Sequence, residues 1–154
     1  TVDLLSAQRG RWTLGVDELG YGYLTSILKR AHVAETTALV LAARLALTQD
    51  DPAIIQARMD GFIAHRKRTQ PPGASLGSIF KNPPGDYAGR LIEACGLKGL
   101  RIGGAEVSTL HGNFFINTGS ASAGDYAALI EQVQAAVARQ TGILLEAEVE
   151  IIGS

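Results

Sequence analysis

The strongest local signal in the sequence is a helix that begins at Asp51 and Pro52. Asp51 is a favourable N-cap, and Pro52 suits the first helical position, where its missing N–H leaves no bond unmade. The basic run 66–68 fills the last turn, where cations complement the helix dipole. The helix divides the chain into residues 1–51 and residues 52–154. Its apolar face falls at positions i, i+4, i+7 and i+8 and consists of Ile55, Met59, Phe62 and Ile63.

The first part is predicted to be mostly strand and turn. Val2–Leu5 and Trp12–Leu14 are expected to form short strands on either side of a glycine turn. Thr37–Leu47 is rich in Val, Leu and Ala, and we predict that it forms a buried strand.

The second part alternates helices and strands. Residues 69–77, TQPPGASLG, break regular structure and are a possible linker. A helix is expected over 86–95 and a strand over 113–117. A third helix starts at Ser122 with a weak capping-box pattern, and a last strand follows over 143–152. The connections suit antiparallel pairing, so we expect an α+β fold with a small antiparallel or mixed sheet and about three helices.

Charge and cysteine content argue against two classes of protein. Among 154 residues, 14 Lys and Arg oppose 15 Asp and Glu, for a net charge of -1. A general nucleic-acid binder usually carries a clear basic excess, so we expect no nucleic-acid partner. Cys95 is the only cysteine. A disulfide framework within the chain is therefore impossible, which suits a reducing cytoplasm.

Membrane and export signals are not expected either. The longest apolar stretch, TTALVLAARLAL, is short and contains Arg44. The N-terminus has no basic head followed by an apolar run, so it does not resemble a signal peptide. The sequence begins with Thr1 and not with an initiator Met, and its first residues resemble a strand. Both observations weakly favour a fragment of a longer protein. We expect a cytoplasmic protein without a membrane partner.

One polar, glycine-rich segment is ASLGSIFKNPPGDYAGRLIE. Ser78 follows Gly77, whose lack of a side chain lets a ligand approach the backbone. Asn82 offers a donor and an acceptor, and Lys81 offers charge. On pattern alone, an ordinary strand end before a Pro-Pro turn is the better interpretation.

Two further segments can carry chemistry. In LLEAEVEII, Glu146, Glu148 and Glu150 share one face if the segment is a strand. A solvated edge strand explains this pattern better than an acid in a cleft. In ELGYGYLTSILKR, aromatic residues flank Gly22, and the segment is either an ordinary strand or a wall for a flat ring or a diphosphate.

The histidines and the cysteine give no sign of a metal site. His32, His65 and His111 lie far apart and lack metal-ligand spacing. His65 is expected to be solvated, and Cys95 is expected to pack against a helix neighbour. A ligand contact by His111 is the less favoured interpretation.

Taken together, these segments resemble one family, the UDP-N-acetylenolpyruvoylglucosamine reductases, also called MurB. The resemblance rests on GYGYLTSILK, TQPPGASLGSIFKNP, YAGRLIEACGLKGLRIGGAEVSTLHGNFFINTG and LLEAEVEIIG, in the family's order over nearly the whole chain. Without the longer insertions of some members, the chain is most similar to the shorter, type II branch. The resemblance implies that residues 1–51 are the C-terminal remnant of an FAD-binding region. It implies that residues 52–154 are a substrate-binding C-terminal domain.

The resemblance also implies a reaction. NADPH reduces FAD, and a hydride then passes to the double bond of UDP-N-acetylglucosamine enolpyruvate to give UDP-N-acetylmuramate for peptidoglycan. The family's proton donor maps to Ser78 and an assisting glutamate to Glu148, so we expect these two residues to lie close together at a cleft. Asn82 is implied to lie near the substrate, and weaker candidates for binding it are Lys81, Gln70 and the run 66–68. Those implied near the cofactor are Tyr23 and Ser26.

The resemblance also indicates which part of the family's cofactor site this chain does not match. The glycine-rich segment that cradles the flavin diphosphate matches nothing here, so the FAD site is expected to be incomplete in this chain. The protein is expected to be a monomer without a metal.

One position departs from the family pattern. The arginine that follows the second aromatic residue of the motif is Leu24 here. Leucine offers no charge, so either Arg30 or a residue outside the chain compensates, or catalysis is slow or lost. The alternative to the reductase is therefore a non-catalytic UDP-sugar-binding module. Ala147 replaces a proline that usually separates the two glutamates, which we expect to be harmless.

Overall fold

The computed structural model describes residues 1–30 and 38–152, without the side chain of Arg30. His32 and Thr37 lie outside the described residues. The chain forms two compact units, Thr1–Asp51 and Pro52–Ser154.

The first unit contains a three-stranded antiparallel sheet. Its strands are β1 (Val2–Ser6), β2 (Gly10–Leu14) and β3 (Leu39–Ala43), in the order β2-β1-β3. The predicted hairpin of β1 and β2 is confirmed. Short helical segments at Asp17–Leu19 (3-10) and Ile27–Arg30 (α1) follow, and α1 was not predicted. The small core of this unit is formed by Leu4, Leu14 and Leu19.

The predicted buried strand in this unit is wrong in its burial. β3 is shorter than the expected Thr37–Leu47, and all five of its residues are exposed. The strand lies at the edge of the sheet, paired with β1 on one side. A run of apolar residues indicates that a segment can be buried, but it does not show which other element packs against it.

The second unit places helices against a four-stranded antiparallel sheet. The strand order is β4-β7-β6-β5. Helix α4 packs against α3, β5 and β6. The core is built from buried side chains of the sheet and of both helices, among them Ile92, Val107, Phe115 and Val133. The elements are α2 (Pro52–Thr69), β4 (Ser75–Ser78), α3 (Ala88–Ala94), β5 (Arg101–Ile102), β6 (Ala105–Val107), β7 (Phe114–Asn117) and α4 (Ala123–Thr141).

Helix α4 confirms the predicted capping box. The Ser122 side chain accepts a hydrogen bond from the Asp125 N–H at 3.1 Å, and the Asp125 carboxylate accepts from the Ser122 N–H at 3.0 Å. Gly142 ends the helix with a φ of 74°, a conformation that favours glycine.

Helix α2 has the predicted bounds, but its apolar face is uncovered within the described residues. None of its residues is buried. The four apolar side chains of the face, Ile55, Met59, Phe62 and Ile63, are 39% to 64% exposed.

Three expectations for the second unit were wrong in detail. Residues 143–152 form no regular strand in the structure; they pair only through one bridge, Phe80 to Ala147. The possible linker 69–77 includes most of β4, and the second helix is shorter than expected. β5 and β6 were not predicted, because each has only two or three residues. The α+β class is confirmed, and no helix in the described ranges is both long and apolar enough to cross a bilayer.

Candidate functional site

The Ser78 segment, residues 75–82, begins with an irregularity in the sheet. β4 pairs with β7 at Ser75–Ile116 and at Ser78–Phe114, and the register shifts between these pairs. Gly77 lies within the shift with a φ of 78°, which a residue with a side chain adopts at a cost. Such irregularities re-aim the neighbouring side chain. The sequence Gly-Ser therefore sets the direction in which half-buried Ser78 leaves the sheet.

The residues after Ser78 anchor the segment in the core. Ile79 and Phe80 are 0% and 1% exposed. The Phe80 ring meets the edge of Phe115 with 6.0 Å between centroids. Two buried apolar side chains in succession anchor the backbone in the core between Ser78 and Lys81.

The glutamate segment pairs directly with the Ser78 segment. The Glu148 N–H donates to the Ile79 carbonyl at 2.8 Å, and the Lys81 N–H donates to the Glu146 carbonyl at 2.9 Å. The backbone of half-buried Glu148 is thus bonded to the residue that follows Ser78. The structure brings these two sequence-predicted residues into adjacent, hydrogen-bonded segments.

Lys81 forms an ion pair that the sequence did not predict. Its ammonium contacts the Glu146 carboxylate, and the two side chains are 24% and 71% exposed. Because Glu146 is largely solvated, the pair contributes little to stability and its lysine can exchange partners. A bound anion could therefore share this lysine with Glu146.

Asn82 and Gln70 both support helix ends. The Asn82 side-chain oxygen accepts from the Ala88 N–H at 3.1 Å, at the start of α3. The Gln70 side-chain oxygen accepts from the Arg66 guanidinium at 3.1 Å, at the end of α2. Each side chain therefore has a local structural partner in addition to any contact with a ligand.

Tyr23 and Leu24 form the tip of a tight turn in the first unit. Gly22 and Thr25 exchange backbone hydrogen bonds of 3.0 and 3.3 Å across the turn. Leu24 has a φ of 51°, the only positive φ outside glycine in the described residues. Such a conformation costs about 1 kcal/mol or more for leucine. Tyr23 is 63% exposed, and half-buried Ser26 follows the turn.

His111 contacts Asn113 and Phe114, at the start of β7. Its Nδ1 accepts from the Asn113 N–H at 3.2 Å, and its ring contacts Phe114 with 4.9 Å between centroids. Burial lowers the pKa of His111, and nearby Lys98 lowers it further. A lower pKa favours the neutral imidazole, and in this form Nδ1 can accept the hydrogen bond.

Asn113 is the residue that sequence analysis missed. It is 4% exposed, and its side chain bonds both backbone polar groups of Phe80. The available signal was its place in the HGNFFINTG block, at the start of the strand predicted over 113–117, but no role was assigned to it there.

Comparison with known proteins identifies the family. Residues 68–152 match the model of the C-terminal domain of UDP-N-acetylenolpyruvoylglucosamine reductase. The chain belongs to the UDP-N-acetylenolpyruvoylglucosamine reductase family. The matched range contains the Ser78 segment, the Glu148 segment and Asn113.

Relatives that carry this name are similar over most of the chain. The protein from Chloroflexus aggregans is 52% identical over 137 residues, which are 89% of this chain and 46% of that protein. The protein from Chloroflexus aurantiacus is 51% identical over 154 residues, 99% of this chain and 51% of that protein. The crystal structure of the reductase (MurB) from Thermus caldophilus aligns with a TM-score of 0.81 and 38% identity, over 97% of this chain and 51% of that one. The chain spans about half the length of the reductases that it matches.

Proposed function

We propose that this chain is the substrate-domain half of a reductase that converts UDP-N-acetylglucosamine enolpyruvate to UDP-N-acetylmuramate in cytoplasmic peptidoglycan synthesis. The observation that carries the proposal is the pairing of the Ser78 and Glu148 segments through the Glu148 N–H and the Ile79 carbonyl. Both segments lie inside the range that matches the family model.

Within this proposal, the second unit binds the substrate and supplies the proton. Residues 52–154 form the substrate domain, with Lys81 and Asn82 near the phosphates or the sugar, and Gln70 and the basic run 66–68 at the end of α2. The lysine would exchange its contact with solvated Glu146 for one with the ligand.

The cofactor site would be formed by the first unit together with residues outside this chain. Tyr23 and Ser26 around the exposed turn fit one wall of a flavin site and no more. When bound, FAD reduced by NADPH supplies the hydride. The residues that cradle the diphosphate must come from elsewhere.

Ser78 completes the reaction at the substrate carbon. As the hydride adds to one carbon of the double bond, the electron pair moves toward the carboxylate and leaves the adjacent carbon basic. The Ser78 hydroxyl then donates its proton to that carbon. This transfer is favourable because the enolate is a strong base, although serine is a weak acid. Glu148 is the neighbouring acid that returns a proton to the serine oxygen.

The experiment is an assay of the intact gene product. With NADPH and UDP-N-acetylglucosamine enolpyruvate we expect substrate-dependent NADPH oxidation and a product two hydrogens heavier by mass spectrometry. No product, with no oxidation above the background without substrate, would contradict the proposal.

A non-catalytic UDP-sugar-binding module is the second candidate, favoured by Leu24 in place of the family arginine. It predicts that the intact protein binds the UDP-sugar by calorimetry without any turnover. The similarity to proteins named as reductases supports the first candidate.

A further inference from the structure

Asn113 hydrogen-bonds the backbone of Ile79 and Phe80, directly after Ser78, where no residue of a described strand pairs with them. Its side-chain oxygen accepts from the Phe80 N–H at 2.9 Å, and its side-chain N–H donates to the Phe80 carbonyl at 2.8 Å. Its own carbonyl accepts from the Ile79 N–H at 2.9 Å. One residue therefore satisfies three backbone groups of Ile79 and Phe80, both of which are buried.

The position of Asn113 explains why a side chain is needed here. The ladder between β4 and β7 ends at the pair Ser78–Phe114. On its other edge the continuing segment is bonded to residues 146–148. β7 begins at Phe114, so beyond Ser78, among the described residues, only the Asn113 carbonyl continues the pairing, to the Ile79 N–H. The side-chain amide of Asn113 then takes the place of a peptide group opposite Phe80. Without it, both polar groups of buried Phe80 would be left without partners.

Asn113 is itself held firmly. It is 4% exposed, and its backbone N–H donates to the imidazole of His111. All buried polar side chains in the described residues have partners, so the network around Phe80 is complete. An amide in this network cannot rotate without breaking two hydrogen bonds.

We propose that Asn113 is a positioning residue for proton delivery by Ser78, because it fixes the backbone of Ile79 and Phe80 between Ser78 and Asn82. The inference rests on the proposed reductase function. Asn113 does not touch the substrate; it acts through the segment that carries Ser78.

The test replaces Asn113 with aspartate and follows pH. An ionised aspartate still accepts from the Phe80 N–H but cannot donate to its carbonyl. A protonated aspartic acid does both. In stopped-flow measurements on the intact protein, we expect N113D to slow flavin reoxidation by substrate by about tenfold or more at pH 8. As pH falls toward 5.5, the ratio of variant to unmodified rate should rise. Flavin reduction by NADPH should be unchanged.

Two variants make the pH result specific. N113L loses both hydrogen bonds and should be slow at every pH. N117D is the matched control, because Asn117, the last residue of β7, forms its side-chain hydrogen bonds within the described residues through its oxygen alone, which accepts from the Gly119 and Ala121 N–H groups at 2.8 and 3.0 Å. Aspartate reproduces that oxygen, so N117D should keep the rate and the pH profile of the unmodified protein.

Other titratable groups surround residue 113 and are present in every variant. His111 contacts its backbone, with Lys98 and Glu93 near that imidazole. Lys81, Glu146 and Glu148 lie along the opposite edge of the Phe80 segment. Dividing each rate by that of the unmodified protein at the same pH therefore isolates residue 113.

Amide hydrogen exchange at Phe80 gives a readout that needs no activity. We expect protection of the Phe80 N–H to persist in N113D and to be lost in N113L, with the rest of the sheet still protected. An N113D protein that matches the unmodified rate at pH 8, or that is equally slow at every pH, would overturn the proposal. If the unmodified protein fails to reoxidise its flavin with substrate, the function itself is wrong, and Phe80 exchange then reports only whether Asn113 holds the backbone.

Discussion

At the scale of single residues, Ser78 carries the chemistry that we propose. In the intact protein, Ser78→Ala should leave flavin reduction by NADPH nearly unchanged, since that step requires no proton at the substrate carbon. It should slow flavin reoxidation by substrate by several orders of magnitude. Ser78→Cys should recover part of the rate, because a thiol also donates a proton. Stopped-flow flavin absorbance separates the two steps.

Ser75 provides the control for Ser78. It lies in the same strand, is exposed, and its hydroxyl accepts, within the described residues, only a long 3.5 Å hydrogen bond from the Gly77 N–H, so Ser75→Ala should change neither half-reaction. Equal slowing of both half-reactions by Ser78→Ala would mean that the residue supports the structure and not the proton transfer.

Leu24 is the second residue with a specific expectation. An arginine at this position would stabilise charge that develops on the substrate carboxylate, and more so in the transition state than in the ground state. Leu24→Arg should therefore raise the rate of flavin reoxidation, by up to about a hundredfold, with kcat changing more than KM. The backbone cost of the φ of 51° is the same for both side chains.

Leu24→Gln introduces a polar side chain without the charge of arginine and should not raise the rate of flavin reoxidation. If Arg30 already serves the site, Leu24→Arg changes little and Arg30→Ala becomes the damaging variant. No change from either arginine variant would refute a catalytic role for this turn.

At the scale of elements, the cap of α4 is expected to be a measurable source of stability. Asp125 closes the capping box and also accepts from the Gly104 N–H at 3.2 Å, so the cap ties the helix to the turn between β5 and β6. Ser122→Ala should lower the free energy of unfolding of the second unit by about 1 kcal/mol in denaturant titration. Ser120→Ala, at an exposed position before the helix, should have almost no effect. An equal loss from both variants would argue against the cap.

The loop that leads into β7 should make stability depend on pH. The pKa of His111 in the folded protein is lowered from 6.5 by burial, so the unfolded chain binds this proton more readily. The contribution is complete above pH 6.5 and is lost as pH falls from 6.5 through the folded pKa. Denaturant titrations from pH 8 to 5 should show this decline, and His111→Gln should reduce it.

His65 is the comparison for this loop, because it is exposed on α2. His65→Gln should leave the pH profile unchanged. A profile that His65→Gln flattens more than His111→Gln does would contradict the role of the loop.

At the scale of the whole molecule, the chain exposes surfaces that suit a larger protein. The apolar face of α2 and all of β3 are exposed, and the reductases that the chain matches are about twice its length. A buried flavin needs walls from more than one part of a protein. We therefore expect isothermal titration of the 154-residue chain with FAD to show no binding at micromolar concentration. Tight one-to-one binding would overturn the assignment of residues 1–51 as an incomplete part of the FAD region.

Local sequence signals predicted those elements whose stability is local. The bounds of α2 followed from Pro52 and its periodic residues, and the start of α4 followed from Ser122 and Asp125. Caps and turns depend on residues a few positions apart, so both interacting residues lie in one short stretch of the sequence. The family blocks likewise identified Ser78 and Glu148 as candidates, although their roles stay predictions.

The sequence by itself determined the α+β class, the main helices and the family. Only the tertiary structure decided that residues 143–152 meet the Ser78 segment at one bridge, that Lys81 faces Glu146, and that Asn113 holds Phe80. The last two of these contacts join residues 65 and 33 positions apart. A period-two pattern predicts a strand but not whether a partner strand is available, and β7 ends its pairing at Ser78. Long-range pairing depends on which edges the folded core leaves open, and this information is not local in the sequence.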